Sequence, residues 1–496
     1  MVINTKKIVK FGYGMLLLGM TVSFSCASQS QQSSDIPVYD PNWESLKTHE
    51  TPDWFKNDKF GIYFHWGVYS VPAFLTEWYP HYMYMKDYER WGKEVRPHHV
   101  KTYGENFQYH EFIPDFTAEH FDAEEWATLF KASGARYAGP VAEHHDHFSM
   151  WDSKVNPWNA ARMGPKRDIV GELEKAIKGE GLKFVTTLHN ARRGWYPIGN
   201  GLVDISTDEL RDFYGETASP EKYKKTWKAK TFEVIDNYDP DMLWFDSKLG
   251  SIPEDERMNM VQHFYNKAAK NGQDVVLTYK KNNLPKGVAV LDIEGGRLNH
   301  LATYPWLTDM SFSYGSWCYT HNQSYKGANK VLDALIDIVS KNGCLLLNIG
   351  PRADGVIPGE IRTGLLEMGK WLSQYGEAVY DTNPFVAYGE GPTELVKNRF
   401  GGYDDKKEGY GPNDFRYTTN KKHLYIIQLD QPKHGQEYIL KTFAQDSIAS
   451  GVGLKHIELM GSDEKVKWEK KEDGLHISAP QHVPNDLALV YKAVMK

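Results

Sequence analysis

Eight short apolar runs between residues 60 and 349 constrain most strongly what this chain can fold into. Each has the length and composition of a buried strand, and stretches with helical spacing and capping residues separate several of them. Strands that alternate with helices predict a parallel sheet, and eight such units fit a closed (β/α)8 barrel better than an open doubly wound sheet. The predicted strands are Phe60–His65, Tyr137–Glu143, Phe184–His189, Met242–Asp246, Val275–Tyr279, Val288–Glu294, Met310–Ser313 and Cys344–Ile349. The predicted helices are Asp122–Ser133, Asp168–Lys178, Pro220–Tyr238 and Ala328–Lys341.

The pattern changes after Gly376, and a chain of 496 residues is too long for one small domain. Short alternating runs such as HLYIIQL and LALVYKA predict a C-terminal antiparallel β-sandwich. We therefore predict a barrel domain over residues 41–385 and a β-sandwich domain over residues 386–496. Residues 79–116, rich in Tyr, His and Trp, form too long a segment for an ordinary βα loop and are expected to shape a binding site.

The N-terminus has the pattern of an export signal. Lys6, Lys7 and Lys10 precede the short apolar stretch Phe11–Phe24, and Cys26 follows a small residue. The pattern resembles a bacterial lipoprotein signal over residues 1–26, followed by a Ser/Gln-rich tether over residues 27–40. We expect export and lipidation at Cys26, with a periplasmic or outer-membrane-anchored protein as the result; plain secretion is the alternative.

Net charge, missing motifs and cysteine spacing argue against several classes of function. The net charge of −7 disfavours nucleic acid as the main partner, because phosphate binding needs a basic surface. The sequence has neither a GxGxxG turn nor a P-loop, which disfavours a nucleotide site. Cys318 and Cys344 follow no pairing rule and no CxxC spacing. We expect no metal and no organic cofactor.

Chemically active side chains gather where the predicted strands end. In a barrel these carboxyl ends face the active site. A scaffold has no structural need for carboxylates, histidines and tryptophans along one rim, so the pattern predicts a functional site. The residues concerned are His65, Trp66, Glu143, His144, His145, Asp146, His189, Asn190, Asp246, Glu294, Trp317 and Asn348.

Most of these residues also have a purely structural interpretation. His65 is compatible with a core histidine, and Asp246 with a helix cap. Glu294 precedes Gly295-Gly296-Arg297, so an ion pair between Glu294 and Arg297 competes with a catalytic role. Adjacent histidines of one strand point to opposite sides, which makes His144 and His145 poor candidates for a shared metal ion.

Two acids from different strands, surrounded by His and Trp, suit glycoside hydrolysis. An ionised carboxylate attacks the anomeric carbon, and a protonated one gives its proton to the leaving oxygen. Tryptophan rings cover the apolar face of a sugar, and neutral histidines hydrogen-bond to its hydroxyls.

Six ordered motifs between Lys59 and Pro384 resemble those of glycoside hydrolase family 29, the α-L-fucosidases. They are KFGIYFHWGVYSVPAF followed by TEWY, then AEHHDHFSMWDS, GPKRDIVGEL, DMLWFD, SWCY and LLLNIGPRADGVIP. The resemblance covers the whole predicted barrel. It implies a barrel with a C-terminal β-sandwich, a retaining reaction that releases L-fucose from fucosylated glycans, and no cofactor.

The resemblance also implies roles for individual residues. Asp246 of DMLWFD matches the nucleophile that forms a covalent fucosyl-enzyme. The residues that match fucose-holding or pocket-bordering positions are His65, Glu77, Trp78, His144, His145, His189, Trp244 and Trp317.

The acid/base does not hold one sequence position across the family. Some members carry DIERGR, and this chain has Asp292-Ile293-Glu294-Gly295-Gly296-Arg297, which favours Glu294. Asp309, Glu77 and Glu143 are the other candidates, and Arg297 is expected to contact substrate. Gly295 and the HHDHF sequence depart from the family pattern and put the subsites beyond fucose in doubt. A retaining glycosidase for another sugar, such as galactose, and a non-catalytic glycan-binding lipoprotein are the alternative functions.

Overall fold

A computed structural model describes residues 36–86, 90–215, 219–399, 401–404 and 409–496. The predicted export signal, its Cys26 and most of the tether lie outside these residues. Residues Val38–Lys496 form one compact unit that contains both the barrel and the C-terminal sheets.

Within the described residues, eight parallel strands close into a barrel in chain order, as predicted. Strand β1 pairs with β2 on one side and with β8 on the other, where Phe60 lies opposite Leu345. The strands are β1 Phe60–Phe64, β2 Tyr137–Glu143, β3 Lys183–Leu188, β4 Met242–Phe245, β5 Val276–Lys280, β6 Val290–Asp292, β7 Trp306–Ser311 and β8 Gly343–Ile349. The carboxyl ends of these strands therefore form one rim, which is where the sequence placed the site.

Strand β7 differs most from its prediction. The sequence predicted Met310–Ser313, but the strand starts at Trp306. Thr308 and Asp309 interrupt the apolar pattern, yet they are only 1% and 2% exposed. The buried carboxylate of Asp309 has a hydrogen-bond partner, because the Tyr63 hydroxyl donates to it over 3.0 Å. A buried polar pair thus concealed the strand. Strand β6 is also shorter than predicted, so Glu294 lies beyond its end.

The helices surround the barrel. Asp122 and Asp168, the first residues of two predicted helices, both act as N-caps; the Asp168 side chain accepts from the backbone N–H of Gly171 over 3.0 Å. The helices are α1 Trp43–Leu46, α2 Asp53–Asp58, α3 Tyr79–Tyr82, α4 Gly92–Tyr103, α5 Ala123–Ala132, α6 Ile169–Gly179, α7 Asp208–Phe213, α8 Pro220–Tyr238, α9 Glu254–Asn271, α10 Gly327–Ser340 and α11 Gly359–Tyr375. The long segment after β1 thus carries α3 and α4. Over the described part of the chain, no helix combines the length and the apolarity that crossing a membrane requires.

The C-terminal sheets are antiparallel, as predicted. Five strands pair in the order β15-β18-β13-β12-β9 and three in the order β14-β17-β16, among the described residues. The strands are β9 Asn383–Glu390, β10 Val396–Lys397, β11 Tyr403–Asp404, β12 Phe415–Thr419, β13 His423–Gln428, β14 Glu437–Leu440, β15 Leu454–Leu459, β16 Trp468–Lys471, β17 Gly474–Ser478 and β18 Leu489–Met495. Strand β9 runs across the predicted boundary at residue 385, and the boundary itself stays a prediction.

The five-stranded sheet packs on both faces. Leu424 and Ile426 of β13 belong to the core shared with the three-stranded sheet, whereas Tyr425 and Ile427 belong to the core around the barrel helices. This alternation follows from the two-residue period of a strand. A buried ion cluster joins the two parts: Asp337 of α10 pairs with Lys341 over 2.7 Å and with Arg416 of β12. The C-terminal domain is therefore fixed to the barrel by apolar burial and by charge.

Candidate active site

One pocket, with a volume of about 120 Å³, opens at the carboxyl ends of the barrel strands. Of the eleven residues to which the family resemblance gave a catalytic or substrate-binding role, ten line the pocket and Arg297 does not. Five further rim residues do not line it: Trp66, Glu143, Asp146, Asn190 and Asn348. Its lining residues are Tyr63, His65, Glu77, Trp78, Arg90, Trp91, His144, His145, His189, Trp244, Asp246, Ser247, Lys280, Glu294, Asp309, Trp317 and Arg399. Strand ends from around the barrel and residues of the long segment after β1 thus form one site.

Lys280, the last residue of β5, lines the pocket and was not among the residues that the sequence predicted. Its ammonium group is almost fully buried and lies 4.6 Å from the centroid of the Trp244 ring. Four carboxylates surround it: its Nζ is 3.4 Å from Asp246, 3.7 Å from Asp292, 3.2 Å from Glu294 and 3.3 Å from Asp309. Burial lowers the pKa of Lys280, but these carboxylates together raise it well above the usual value. Lys280 is therefore a fixed positive charge at the pocket floor.

Asp246 follows β4 and is held at both carboxylate oxygens. Oδ1 faces Lys280 over 3.4 Å, and Oδ2 lies 3.3 Å from Nε2 of His145. The hydroxyl of Ser247 also donates to Oδ2, over 3.2 Å. Burial alone raises the pKa of Asp246, but Lys280 and the hydrogen bond with His145 bring it well below the usual range. Asp246 is therefore ionised, as a nucleophile must be.

Glu294 has the opposite electrostatic setting. Burial raises the pKa of its carboxyl group, Lys280 counteracts this, and the negative charges of Asp246 and Asp309 add to the rise. The pKa of Glu294 is raised as the net result. Two acids that share one lysine thus have pKa values shifted in opposite directions, which is the arrangement that separates a general acid from a nucleophile.

Asp246 and Glu294 lie close enough to act on one bond. An oxygen of each lies within 3.4 Å of the same lysine nitrogen, so these two oxygens are no farther apart than twice that distance. Retaining glycosidases place their two carboxyl groups about 5–5.5 Å apart, and inverting enzymes about 6.5–9.5 Å. This upper limit allows every separation that is typical of retaining enzymes. It allows only the shortest separations that are typical of inverting enzymes.

Three histidines converge beside Asp246. Ring nitrogens of His65, His144 and His189 all lie within 4.8 Å of one another. Burial lowers the pKa of His65 to about 4 and lowers the pKa values of His144 and His189 well below the usual value. All three rings are therefore neutral near pH 7. Nδ1 of His65 lies 2.7 Å from Oδ1 of Asn348, which fixes that ring.

Neutral imidazoles suit either sugar hydroxyls or a transition metal. Nδ1 of His144 and Nδ1 of His189 are buried without a hydrogen-bond partner in the described structure. A sugar hydroxyl, which both donates and accepts, pairs with a neutral imidazole nitrogen that faces a pocket. The expectation that the site needs no metal stays a prediction.

His144 and His145 follow β2 and do not lie within it. The strand ends at Glu143, and both histidines line the pocket. The premise that the two histidines alternate as strand residues therefore does not hold. Among the described residues, the ring nitrogens that converge closely enough for one ion nevertheless come from His65, His144 and His189 and not from His145. Nδ1 of His145 donates to the backbone carbonyl of His189 over 2.6 Å, which directs its Nε2 at Asp246.

Aromatic rings enclose the pocket. The Trp244 ring lies 5.2 Å from that of His189, and the Trp317 ring lies 5.6 Å from that of His65, centroid to centroid. Trp78, from the segment after β1, lies 5.5 Å from the His145 ring. These rings give the pocket apolar walls of the kind that sugars stack on.

Glu77 is buried and holds the loop that carries Trp317. Its carboxylate accepts from the Ser316 hydroxyl over 3.0 Å and from the Trp317 backbone N–H over 3.2 Å. Burial raises the pKa of Glu77. Glu143, another candidate acid, is fully buried, binds Lys230 and Ser149, and does not line the pocket.

Arg297 lies apart from the other predicted residues. Its guanidinium pairs with Asp404 of β11 over 2.9 Å and approaches Asp337 over 3.8 Å. The chain turns away from the pocket at Gly295-Gly296, so Arg297 joins the ion cluster between the barrel and the C-terminal domain. The sequence could not show this, because the partners come from distant segments.

Comparison with known proteins agrees with this site. A family model described as alpha-L-fucosidase matches residues 25–377, and one described as alpha-L-fucosidase C-terminal domain matches residues 412–496. Human plasma alpha-L-fucosidase is 31% identical over 465 residues, which cover 89% of each chain. Rat tissue alpha-L-fucosidase is 29% identical over 492 residues, which cover 95% of this chain and 94% of that protein.

Solved structures give the same result. The Thermotoga maritima alpha-fucosidase in complex with fucose is similar, with a TM-score of 0.70 and 28% identity, over 92% of this chain and 100% of that one. A GH29 alpha-L-fucosidase from Bacteroides thetaiotaomicron, trapped as a covalent intermediate, has a TM-score of 0.62 and 19% identity. It covers 92% of this chain and 97% of its own, and supports the fold alone.

Proposed function

Because this chain belongs to glycoside hydrolase family 29, the α-L-fucosidases, we propose that it is a retaining, exo-acting enzyme that removes terminal L-fucose from fucosylated glycans. One observation carries the mechanism: Asp246 and Glu294 share Lys280 and have pKa values shifted in opposite directions. The small volume of the pocket, about 120 Å³, favours a single terminal sugar over an internal one.

In the first half of the reaction, Asp246 attacks the anomeric carbon of fucose. The carboxylate becomes an ester, and the bond from that carbon to the leaving oxygen breaks. Glu294 gives its proton to this oxygen and becomes a carboxylate, which Lys280 stabilises from 3.2 Å. The raised pKa of Glu294 keeps the proton available for this step.

In the second half, water replaces the leaving group. Glu294, now a carboxylate, takes a proton from the water, whose oxygen attacks the anomeric carbon and displaces Asp246. Two inversions at one carbon give net retention. His65, His144 and His189 bind the fucose hydroxyls in this proposal, with support from their neutral rings and their places in the lining of the pocket.

The first-formed sugar tests the proposal directly. Proton NMR of a 4-nitrophenyl α-L-fucoside digest is expected to show α-L-fucose before mutarotation. Early β-L-fucose contradicts the double displacement. Faster turnover of aryl galactosides than of aryl fucosides favours the galactosidase alternative. Binding of fucosylated glycans without any turnover favours the non-catalytic one.

Lys280→Met tests the charge that organises the site. Lys280 lowers the pKa of both Asp246 and Glu294, so its loss raises both. The acid limb of kcat/KM follows the ionisation of Asp246 and the alkaline limb follows that of Glu294. Both limbs are therefore expected to move to higher pH, which a pH–rate profile on an aryl fucoside measures. Lys280→Arg keeps the charge and serves as the matched control; unmoved limbs in Lys280→Met contradict the assignment.

Export and lipidation at Cys26 remain part of the proposal. The basic residues, the apolar stretch and the cysteine that follows it support a lipid anchor. Metabolic labelling with a radioactive fatty acid is expected to label the wild-type protein and not Cys26→Ser. Equal labelling of both proteins contradicts this site of lipidation.

A further inference from the structure

Two acids next to Lys280, Asp292 and Asp309, have no role in the proposed function. Asp292 ends β6 and lies opposite Leu307 of the neighbouring strand β7, which also carries Asp309. Residues two apart in a strand face the same side, so Asp292 and Asp309 share one face of the barrel sheet. Their side chains are 0% and 2% exposed. Two carboxyl groups are thus buried side by side.

Three of the four oxygens of these carboxyl groups lack a donor. Both oxygens of Asp292 and Oδ1 of Asp309 are buried without a hydrogen-bond partner among the described residues. The fourth oxygen, Oδ2 of Asp309, accepts from the Tyr63 hydroxyl over 3.0 Å and from Lys280 over 3.3 Å. A charged oxygen that is buried without a donor is strongly unfavourable, so these atoms need an explanation.

One proton held between the two groups provides this explanation. Burial and the charge of Asp309 raise the pKa of Asp292 well above its usual value, and a hydrogen bond between the two side chains adds to the rise. Two carboxyl groups cannot hydrogen-bond to each other while both are ionised, because neither then has a hydrogen to donate. A protonated Asp292 donates to Asp309, as in other sites where two adjacent carboxyl groups share one proton.

The contacts indicate which of the two acids carries the proton. Asp309 receives hydrogen bonds from Tyr63 and Lys280, and both stabilise a carboxylate. Within the described part of the chain no group donates to Asp292, and Lys280 approaches it only to 3.7 Å. Asp292 is therefore the neutral member of the pair, and Asp309 is the ionised one.

The other titratable groups around Asp292 are compatible with this charge state. They are Lys280 of β5, Glu294 beyond the end of β6, Tyr63 of β1 and Tyr137 of β2. Burial raises the pKa values of both tyrosines well above the usual value, so both rings stay neutral. Glu294 adds a negative charge only after it has given up its own proton, which makes Asp292 still harder to ionise.

We propose that Asp292 and Asp309 form a buried acid pair that keeps one proton, and that Asp292 acts in this pair as a positioning residue for Lys280. The four carboxyl groups around Lys280 then carry two negative charges before the reaction, on Asp246 and Asp309. Lys280 is therefore not drawn away from Asp246 and Glu294 by a third charge. The effect on the reaction rests on the proposed function, whereas the shared proton does not.

Carbon-13 NMR of the full chain, labelled at the side-chain carboxyl carbon of aspartate, tests the proton without requiring activity. At about pH 8 ordinary aspartates are ionised, and so for the most part are Asp58 and Asp146, whose pKa values burial raises to about 6 and about 7. One signal is expected to stay at the position of a protonated carboxyl group and to be missing in Asp292→Asn. Asp53→Asn, the same change at an exposed residue of α2, is the matched control and is expected to keep that signal.

The pH–rate profile on 4-nitrophenyl α-L-fucoside tests the positioning role. Asp292→Asn keeps the shape and the donor of the protonated acid, so both limbs of kcat/KM are expected to stay at their wild-type positions. Asp292→Leu removes the donor, so Asp309 competes more strongly for Lys280. Its kcat/KM is expected to fall by about tenfold, with both limbs moved to higher pH. Asp309→Asn removes a negative charge near Glu294 and is expected to move the alkaline limb to lower pH.

Several results would overturn the acid pair. Wild-type protein without a protonated aspartate at about pH 8, or a protonated signal that survives in Asp292→Asn, removes the proton from Asp292. An alkaline limb that moves to lower pH in Asp292→Asn means that Asp292 is charged in wild type. Equal losses in Asp292→Asn and Asp292→Leu with unmoved limbs reject the positioning role.

Two further measurements keep the test decisive. If Asp292→Asn does not fold, Asp309→Asn replaces it in the NMR experiment, where loss of the neighbouring charge is expected to move the titration of the protonated signal to lower pH. An unchanged titration contradicts the pair. If the wild type turns over no fucoside, the proposed function fails, and the NMR result still decides whether the proton is there.

Discussion

Asp246→Ala is expected to lower kcat on aryl α-L-fucosides by about four orders of magnitude or more, the scale seen when a covalent nucleophile is removed. One carboxylate oxygen of Asp246 contacts Lys280 and the other contacts His145. Alanine therefore removes both the attacking group and the centre of this charge network. The measurement is steady-state hydrolysis at several pH values. Asp53→Ala, at an exposed aspartate of α2, is the control and is expected to match wild type.

Azide separates a lost nucleophile from a misfolded protein. In Asp246→Ala the space left by the carboxylate admits azide, which attacks the α-fucoside once and gives β-L-fucosyl azide. Recovery of activity with this product supports the assignment. Residual turnover within tenfold of wild type, in a variant with an unchanged circular dichroism spectrum, moves the nucleophile to another residue.

Glu294→Ala is expected to reduce kcat/KM by about 10²–10⁴-fold on fucosides whose leaving groups need protonation. Aryl fucosides with acidic leaving groups, such as 2,4-dinitrophenyl fucoside, leave without a proton and are expected to lose far less in their first step. The alkaline limb of the pH profile should also vanish, because it reports the deprotonation of Glu294. A series of aryl fucosides with graded leaving-group pKa values measures the effect as a slope.

The anomer of the product formed with azide also distinguishes loss of the acid/base from loss of the nucleophile. In Glu294→Ala azide attacks the covalent intermediate, so two inversions give α-L-fucosyl azide, the anomer opposite to that from Asp246→Ala. Glu77→Gln and Asp309→Asn are the matched controls, since both acids line the pocket and were sequence candidates for the same role. If either control shows the steep slope and Glu294→Ala does not, the acid role belongs to that residue.

The sequence predicted the barrel and most of its site because both depend on local pattern. Asp246 and His189 directly follow apolar strands, so their positions on the rim follow from strand boundaries alone. The C-terminal sheets were predicted for the same reason, since alternation is visible in runs such as residues 423–429. These features depend on neighbours in the chain.

What the sequence did not predict depends on distant partners. Lys280 was missed because the predicted strand ended one residue earlier, at Tyr279, and nothing local shows that four carboxylates meet there. Strand β7 was misplaced because Asp309 reads as a surface residue until its contacts with Lys280 and Tyr63 are known. Buried charge is therefore the hardest feature of this site to read from a sequence.

The C-terminal hairpin β10–β11 has a consequence for protein engineering. Arg399, between its strands, lines the catalytic pocket, and Asp404 pairs with Arg297 next to the rim. A gene fragment that ends at residue 385 would encode a barrel whose pocket lacks Arg399. It would also remove Arg416, the ion-pair partner of Asp337. The two domains therefore cannot be exchanged separately between relatives. Chimeras between relatives should exchange residues 396–404 together with the barrel that they complete.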